Sequence, residues 1–241
     1  MMKVKKVSMK FLVVFGLLFG SFVFWKTNFP SGTWRYKVIV EIETPEGIKS
    51  GYAVREVTAV TQPSITPETH PVTYGVIGEA VAIDLGDRGV AFALLGYTEV
   101  FKAFPKEAKT TKEFIQYYSN LPVGQKAVLT SAHPQIVTFT DINDPLTVKM
   151  VLGSRFNVKK QDLDPVNDFE ALFGQGVTLK QVIIEITDEP VTWDIEKWLP
   201  WLDRINGGYL DGAFLGGGPE LSNILDGEHF KRESKYKKER K

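Results

Sequence analysis

WRYKVIVEIE, residues 34–43, alternates with the two-residue period of a β-strand. Trp34, Tyr36, Val38, Val40 and Ile42 fall on one face, and Arg35, Lys37, Glu41 and Glu43 on the other; Ile39 is the one apolar residue among the charges. A strand so patterned is half-buried, and it needs both a partner strand and a core to cover its apolar side. Pro45-Glu46-Gly47 supplies a turn, and Ile48–Val60 returns as the second strand. Its alternation falters at Arg55-Glu56, which predicts a β-bulge there.

Further along, residues 61–74 hold prolines 63, 67 and 71 and no periodicity, and so read as an extended loop. GEAVAIDLGDRGVAFALL, residues 78–95, reads as a hairpin turning through Gly86-Asp87-Arg88-Gly89. In it Val81, Ile83 and Leu85 match Val90, Phe92 and Leu94, and the other face is mostly Ala80, Ala82, Ala91 and Ala93. Small residues on that face predict close packing and a central position. Thr110–Leu121 carries a capping box, Thr110 with Glu113, and a stripe of Phe114, Tyr117, Tyr118 and Leu121, which predicts a helix. Strands follow at Lys126–Ser131, Gln135–Thr140, Thr147–Leu152 and Leu179–Thr187. Asp164-Pro165 predicts the start of a short helix that buries Val166, Phe169 and Phe173 and stops at Gly174. Asp194–Leu199 is a last short turn of helix, ended by Pro200.

These elements predict an α+β domain over residues 31–206: a largely antiparallel sheet of about six to eight strands with two or three short helices against it. Residues 207–241, glycine-rich and then basic, read as a flexible tail. Upstream, residues 1–10 form a leader with four lysines and no acid, followed by FLVVFGLLFGSFVFW, residues 11–25. That layout predicts a transmembrane signal anchor whose apolar residues are Phe11, Leu12, Val13, Val14, Phe15, Leu17, Leu18, Phe19, Phe22, Val23, Phe24 and Trp25. A helix of that length spans about 22 Å, and about 28 Å if Val7–Met9 are added and Lys10 snorkels. The bulky end of the run disfavours a cleaved signal and a secreted product, which is the alternative. The lysines place the N-terminus inside the cytoplasmic membrane and the body outside.

The whole chain is neutral, yet residues 1–30 carry +5 and residues 227–241 carry +4, so residues 31–226 carry −9. An acidic body argues against nucleic acid as a partner. The absence of cysteine excludes disulfides, thiolate metal sites and thiol nucleophiles. His70, His133 and His229 lack metal-ligand spacing, and Asp162, Asp164 and Asp168 fail the calcium-loop pattern. No nucleophile elbow or phosphate loop occurs, so no cofactor is indicated. The paired carboxylates Asp141/Asp144 and Asp188/Glu189 precede prolines at strand ends, where turn bonding accounts for them.

SGYAVREV (residues 50–57), the hairpin sequence, GVTLKQVIIEITDEPVTWDIEKWLPWL (176–202) and YLDG (209–212) resemble an uncharacterised family of bacterial envelope proteins. The resemblance covers roughly Trp34–Gly212. It implies a hydrophobic N-terminal segment followed by one domain, and no assigned activity. The expected function is therefore a membrane-anchored extracytoplasmic binding or assembly module, held in the lipid bilayer by its N-terminal helix and meeting an envelope protein partner. An envelope hydrolase using carboxylates is the rival. Trp193, Trp198 and Trp201 are the candidate partner-binding residues. Among them Trp198 is expected in the core and Trp201, beyond Pro200, on the surface.

Overall fold

The computed structural model describes residues 30–61, 72–157, 160–205, 208–214 and 216–233. The strand over residues 34–43 is present and longer: β1, Ser31–Thr44, pairs antiparallel with β2, Gly47–Thr61, along its whole length. Pro45-Glu46 turns between them, with Gly47 at φ 117°. No bulge interrupts the β1–β2 ladder. The alternation of β2 falters because Arg55 points inward, opposite Tyr36, and is fully buried.

β3, Val72–Glu79, lies in the stretch read as loop and hairpin, and it pairs with β2. After one residue, Ala80, the chain enters β4, Val81–Asp84, in a different sheet, where β5, Val90–Ala93, returns beside it. The remaining strands are β6 (Lys126–Val128), β7 (Ile136–Phe139), β8 (Val148–Asn157), β9 (Asp162–Asn167), β10 (Thr178–Ile186) and β11 (Lys231–Arg232). They form two antiparallel sheets, in the orders β11-β3-β2-β1-β10-β6 and β4-β5-β7-β8-β9.

The α+β expectation is thereby corrected. The described residues form a mostly β structure of two sheets with a few short helices: α1 (Glu99–Ala103), α2 (Thr111–Ser119), α3 (Phe169–Phe173) and α4 (Leu202–Ile205). Among them no helix is long and apolar enough to cross a membrane, so the expected transmembrane helix is no part of this fold. The anchor expected at Phe11–Trp25 lies outside the described residues, as does His70. The helix expected from Asp164 begins later, at Phe169, and stops at Gly174 with φ 96°. Asp164 and Pro165 lie instead in β9, an edge strand, where the missing N–H of proline costs no ladder bond.

Two apolar layers hold the molecule together. One fills the space between the sheets with Trp34, Tyr36, Val38, Val40 and Ile42 from β1, Val81 and Ile83 from β4, and Ala91 and Ala93 from β5. The other lies on the far face of the second sheet, where Phe92, Val137, Phe139 and Met150 pack against Ile195, Leu199, Trp201, Leu210, Leu225 and Phe230. The stretch expected to be a flexible tail thus supplies three core residues and, through β11, a strand of the first sheet. The centre of the second sheet, β5 and β7, is buried on both faces, and the hairpin register reflects that. Val81 faces Ala93, Ile83 faces Ala91 and Ala82 faces Phe92, so large meets small on each side. At Gly51 the sheets come closest: a Cβ there would lie 2.0 Å from the Ala82 carbonyl oxygen.

The two hairpin tips are tied by an ion pair. Arg88, between β4 and β5, donates from Nε and Nη2 to the two carboxylate oxygens of Glu46 at 3.0 and 2.7 Å, and from Nη1 to the Phe173 carbonyl at 2.8 Å. These bonds hold the Glu46 carboxyl at about 2, against an ordinary value of 4.5. A depressed carboxyl contributes stability above its unfolded value and loses that contribution as pH falls from about 4.5 towards about 2. A carbon-detected NMR titration is expected to show Glu46 titrating near the bottom of that window. Arg88→Ala should return it to the ordinary carboxylate range, and an unchanged midpoint in that variant would show that Arg88 is not the cause.

Candidate functional site

The buried charges come first, because they are costly unless they are matched. Arg55 is 0% exposed and Glu99 3%. Arg55 Nη1 donates to Glu99 Oε1 at 2.8 Å, Nη2 to the Leu94 carbonyl at 3.0 Å and Nε to the Glu79 carbonyl at 3.2 Å. The Tyr36 hydroxyl donates to Glu99 Oε2 at 3.4 Å, and burial, with Glu99 beside it, pushes its pKa well above the ordinary value. Glu79 Oε2 accepts from the Ile195 N–H at 2.8 Å. Arg55 therefore reaches from the first sheet to the corner where β3 gives way to β4, to the end of β5 and to α1. The network is closed and buried, so its role is to lock two sheets together.

The three sequence-predicted tryptophans do not form one surface. Trp193 is 40% exposed, with Lys231 Nζ 5.8 Å from its ring centre. Trp198 is half-buried against the second apolar layer. Trp201 is only 3% exposed; it donates from Nε1 to the Ile142 carbonyl at 2.8 Å and meets Phe139 and Phe230 edge-on. The expectation for Trp198 and Trp201 is thus reversed, since the turn at Pro200 carries Trp201 under the second sheet. Asp141 and Asp144 accept backbone N–H bonds within their own turn, and Glu189 pairs with Lys37 at 2.5 Å. His133 contacts the Leu129 carbonyl, and His229 joins Asp226 in a capping box. Among the described residues no group of three or more His, Asp or Glu side chains is placed to hold a metal ion.

A cleft of about 310 Å³ opens at the head of β1, lined by Thr33, Trp34, Arg35, Tyr118, Val123 and Asp188 among others. Its origin is a difference in strand length. β10 pairs with β1 as far as Tyr36–Ile186, and the Thr187 N–H makes a last bond to the Arg35 carbonyl at 3.2 Å. From Asp188 the chain turns away, whereas β1 runs on through Trp34 to Ser31 beside β2. On the β10 side, Ser31–Trp34 have no partner strand among the described residues. α2 roofs this end: a Cβ on Gly32 would lie 2.3 Å from Ser119 Oγ and 2.5 Å from an Ile115 methyl, so only glycine lets the helix lie directly on the strand.

Trp34 is 5% exposed and packs against Phe101 and Tyr118, with ring centres 6.1 and 5.5 Å away. Its indole N–H is buried and has no acceptor among the described residues. Such an orphan donor costs roughly 1–3 kcal/mol. Beside it Arg35 donates from Nε to Glu56 at 2.8 Å and from Nη1 to the Asp188 carbonyl at 3.4 Å. The Tyr118 hydroxyl donates to the Phe104 carbonyl at 2.9 Å, and burial pushes its pKa up to about 12. It therefore stays protonated near neutral pH. The lining holds two carboxylates, Asp188 and Glu56, the latter accepting from Arg35.

Sequence reasoning placed Trp34 on the inner face of its strand and missed the cleft. No sequence signal marks it, because it depends on β10 leaving β1 early while β2 continues. No protein-family model matches the chain, and no curated protein or solved structure is similar to it.

Proposed function

We propose that this protein is a binding module for a partner polypeptide and that the cleft at the head of β1 is its recognition site. The observation that carries the reading is the buried Trp34 indole N–H without an acceptor. Buried donors are ordinarily satisfied, and this one belongs to a residue that lines the cleft, so an acceptor reaching in from a ligand would complete it. The apolar lip at Val123, 64% exposed, and the guanidinium of Arg35 supply the mixed surroundings that fix a ligand's orientation.

A displayed library of random dodecapeptides, panned on the purified protein, supplies the probe. Trp34→Phe keeps a ring against Phe101 and Tyr118 and removes the donor. It is expected to weaken the best selected peptide by about threefold to tenfold, the worth of one ordinary hydrogen bond. Val123→Lys, at an exposed position, should weaken it without moving the denaturation midpoint. Peptides that bind wild type and both variants equally would place recognition elsewhere and end this reading.

A further inference from the structure

We infer that the partner segment is taken up as an added β-strand on the free edge of β1, in the line that β10 abandons at Thr187. The inference rests on the reading of the cleft as the recognition site and specifies how that site works.

The backbone geometry carries it. On a strand, residues two apart direct their N–H and C=O groups to the same side. The Arg35 carbonyl is turned towards β10, because it accepts from Thr187, and the Pro30 carbonyl is turned towards β2, because it accepts from Thr61. The peptide groups of Ser31 and Thr33 therefore face the cleft, where no described strand meets them. An extended segment placed there would find a donor and an acceptor at Thr33, and again at Ser31. Ser31–Trp34 extend about 13 Å, so the contact covers about four residues of the partner.

Proteins blunt exposed edges by shortness, charge or proline. β6 and β11 are three and two residues long and carry Lys126 and Lys231-Arg232, β4 is four residues long, and β9 carries Asp162, Asp164 and Pro165. The notch at the head of β1 is short too, four residues after Pro30, and the outer side of β3 before Gly78 is also open among the described residues. What sets the notch apart is that the small, uncharged Ser31, Gly32 and Thr33 lie beside the unpartnered Trp34 indole. An open edge left unguarded beside a buried, unsatisfied donor is the layout for backbone-directed recognition. One side of an added strand would face Trp34 and Tyr118 beneath the end of α2, and the other would face Arg35. The partner is thus an extended, backbone-recognised segment with a side chain on its inner face that brings an acceptor to the Trp34 indole.

The test uses the best selected dodecapeptide and the full chain. Thr33→Pro removes one of the two N–H groups on that edge without touching the β2 ladder, whereas Thr33→Val keeps that N–H and removes only the hydroxyl. Strand addition is expected to cost Thr33→Pro at least tenfold in affinity and Thr33→Val less than twofold. In the wild type, peptide binding should slow hydrogen exchange at the Thr33 amide at least tenfold, a measurement that stands even if Thr33→Pro fails to fold. If Trp34→Phe weakens the peptide while Thr33→Pro and Thr33 exchange are indifferent to it, the cleft remains the site and strand addition is overturned. If no peptide is sensitive to Trp34→Phe, both readings fall.

Discussion

Arg55→Ala is expected to lower the unfolding free energy by about 3–5 kcal/mol, the typical cost of removing one partner of a buried ion pair. The loss arises mainly from what remains behind. Glu99, 3% exposed, would lose its cation and be left with the Tyr36 hydroxyl as hydrogen-bond partner. The carbonyls of Glu79 and Leu94 would lose their donor at the corner where the chain changes sheets. Arg55→Met with Glu99→Leu removes both charges and keeps volume, and it should recover most of the loss, because a matched apolar pair is seldom worse than a buried ion pair. Urea denaturation midpoints at neutral pH give all three values. A loss below about 1 kcal/mol for Arg55→Ala would mean that water reaches Glu99 and that the network is not the lock between the sheets.

The same residue shows where sequence reading stops. Periodicity located β1, β10 and the capped helix α2, because each presents one apolar face to one core, and β7 and β8 as apolar runs between turn signals. It misread Arg55-Glu56 as a bulge because an arginine at an inward position breaks the pattern, and only its partners from Glu79, Leu94 and Glu99 explain it. Those lie 24 to 44 residues away in the chain. The hairpin and its turn through residues 86–89 are as expected, but the matching of Val81 and Ile83 with Phe92 and Leu94 is not, for a related reason. Alternation assumes one wet face, and β4 and β5 have none at their centre, so the register follows large-against-small packing on two buried sides. The cleft was not legible at all, since a notch in a sheet is a property of the relative lengths of β1 and β10 and of where α2 lies. Of the candidate partner-binding tryptophans, Trp193 is the most exposed, Trp198 is half-buried and Trp201 is buried, and the strand position of Trp34 carries no sign of its unpartnered indole.

Trp201→Ala is expected to cost about 3–5 kcal/mol, the range for emptying an aromatic site in a core. Three features place it there. The ring is 3% exposed, it packs edge-on against Phe139 at 5.4 Å and Phe230 at 6.1 Å, and its N–H is fixed on the Ile142 carbonyl. Phe230 belongs to the segment that continues into β11, and its own carbonyl accepts from the Ala80 N–H at 2.7 Å. A cavity at Trp201 therefore loosens the layer that covers the second sheet as well as the hole itself. Trp201→Phe should recover most of the packing and leave a deficit of about 1 kcal/mol for the lost hydrogen bond. Trp193→Ala, at an exposed position, should stay within about 0.5 kcal/mol of wild type. Amide exchange adds a spatial readout: in Trp201→Ala the Ala80 and Leu95 amides, bonded to Phe230 and His229, should lose protection before those of β1 and β2. Equal small losses for Trp193→Ala and Trp201→Ala would mean that the C-terminal layer is not bound to the sheet through Trp201.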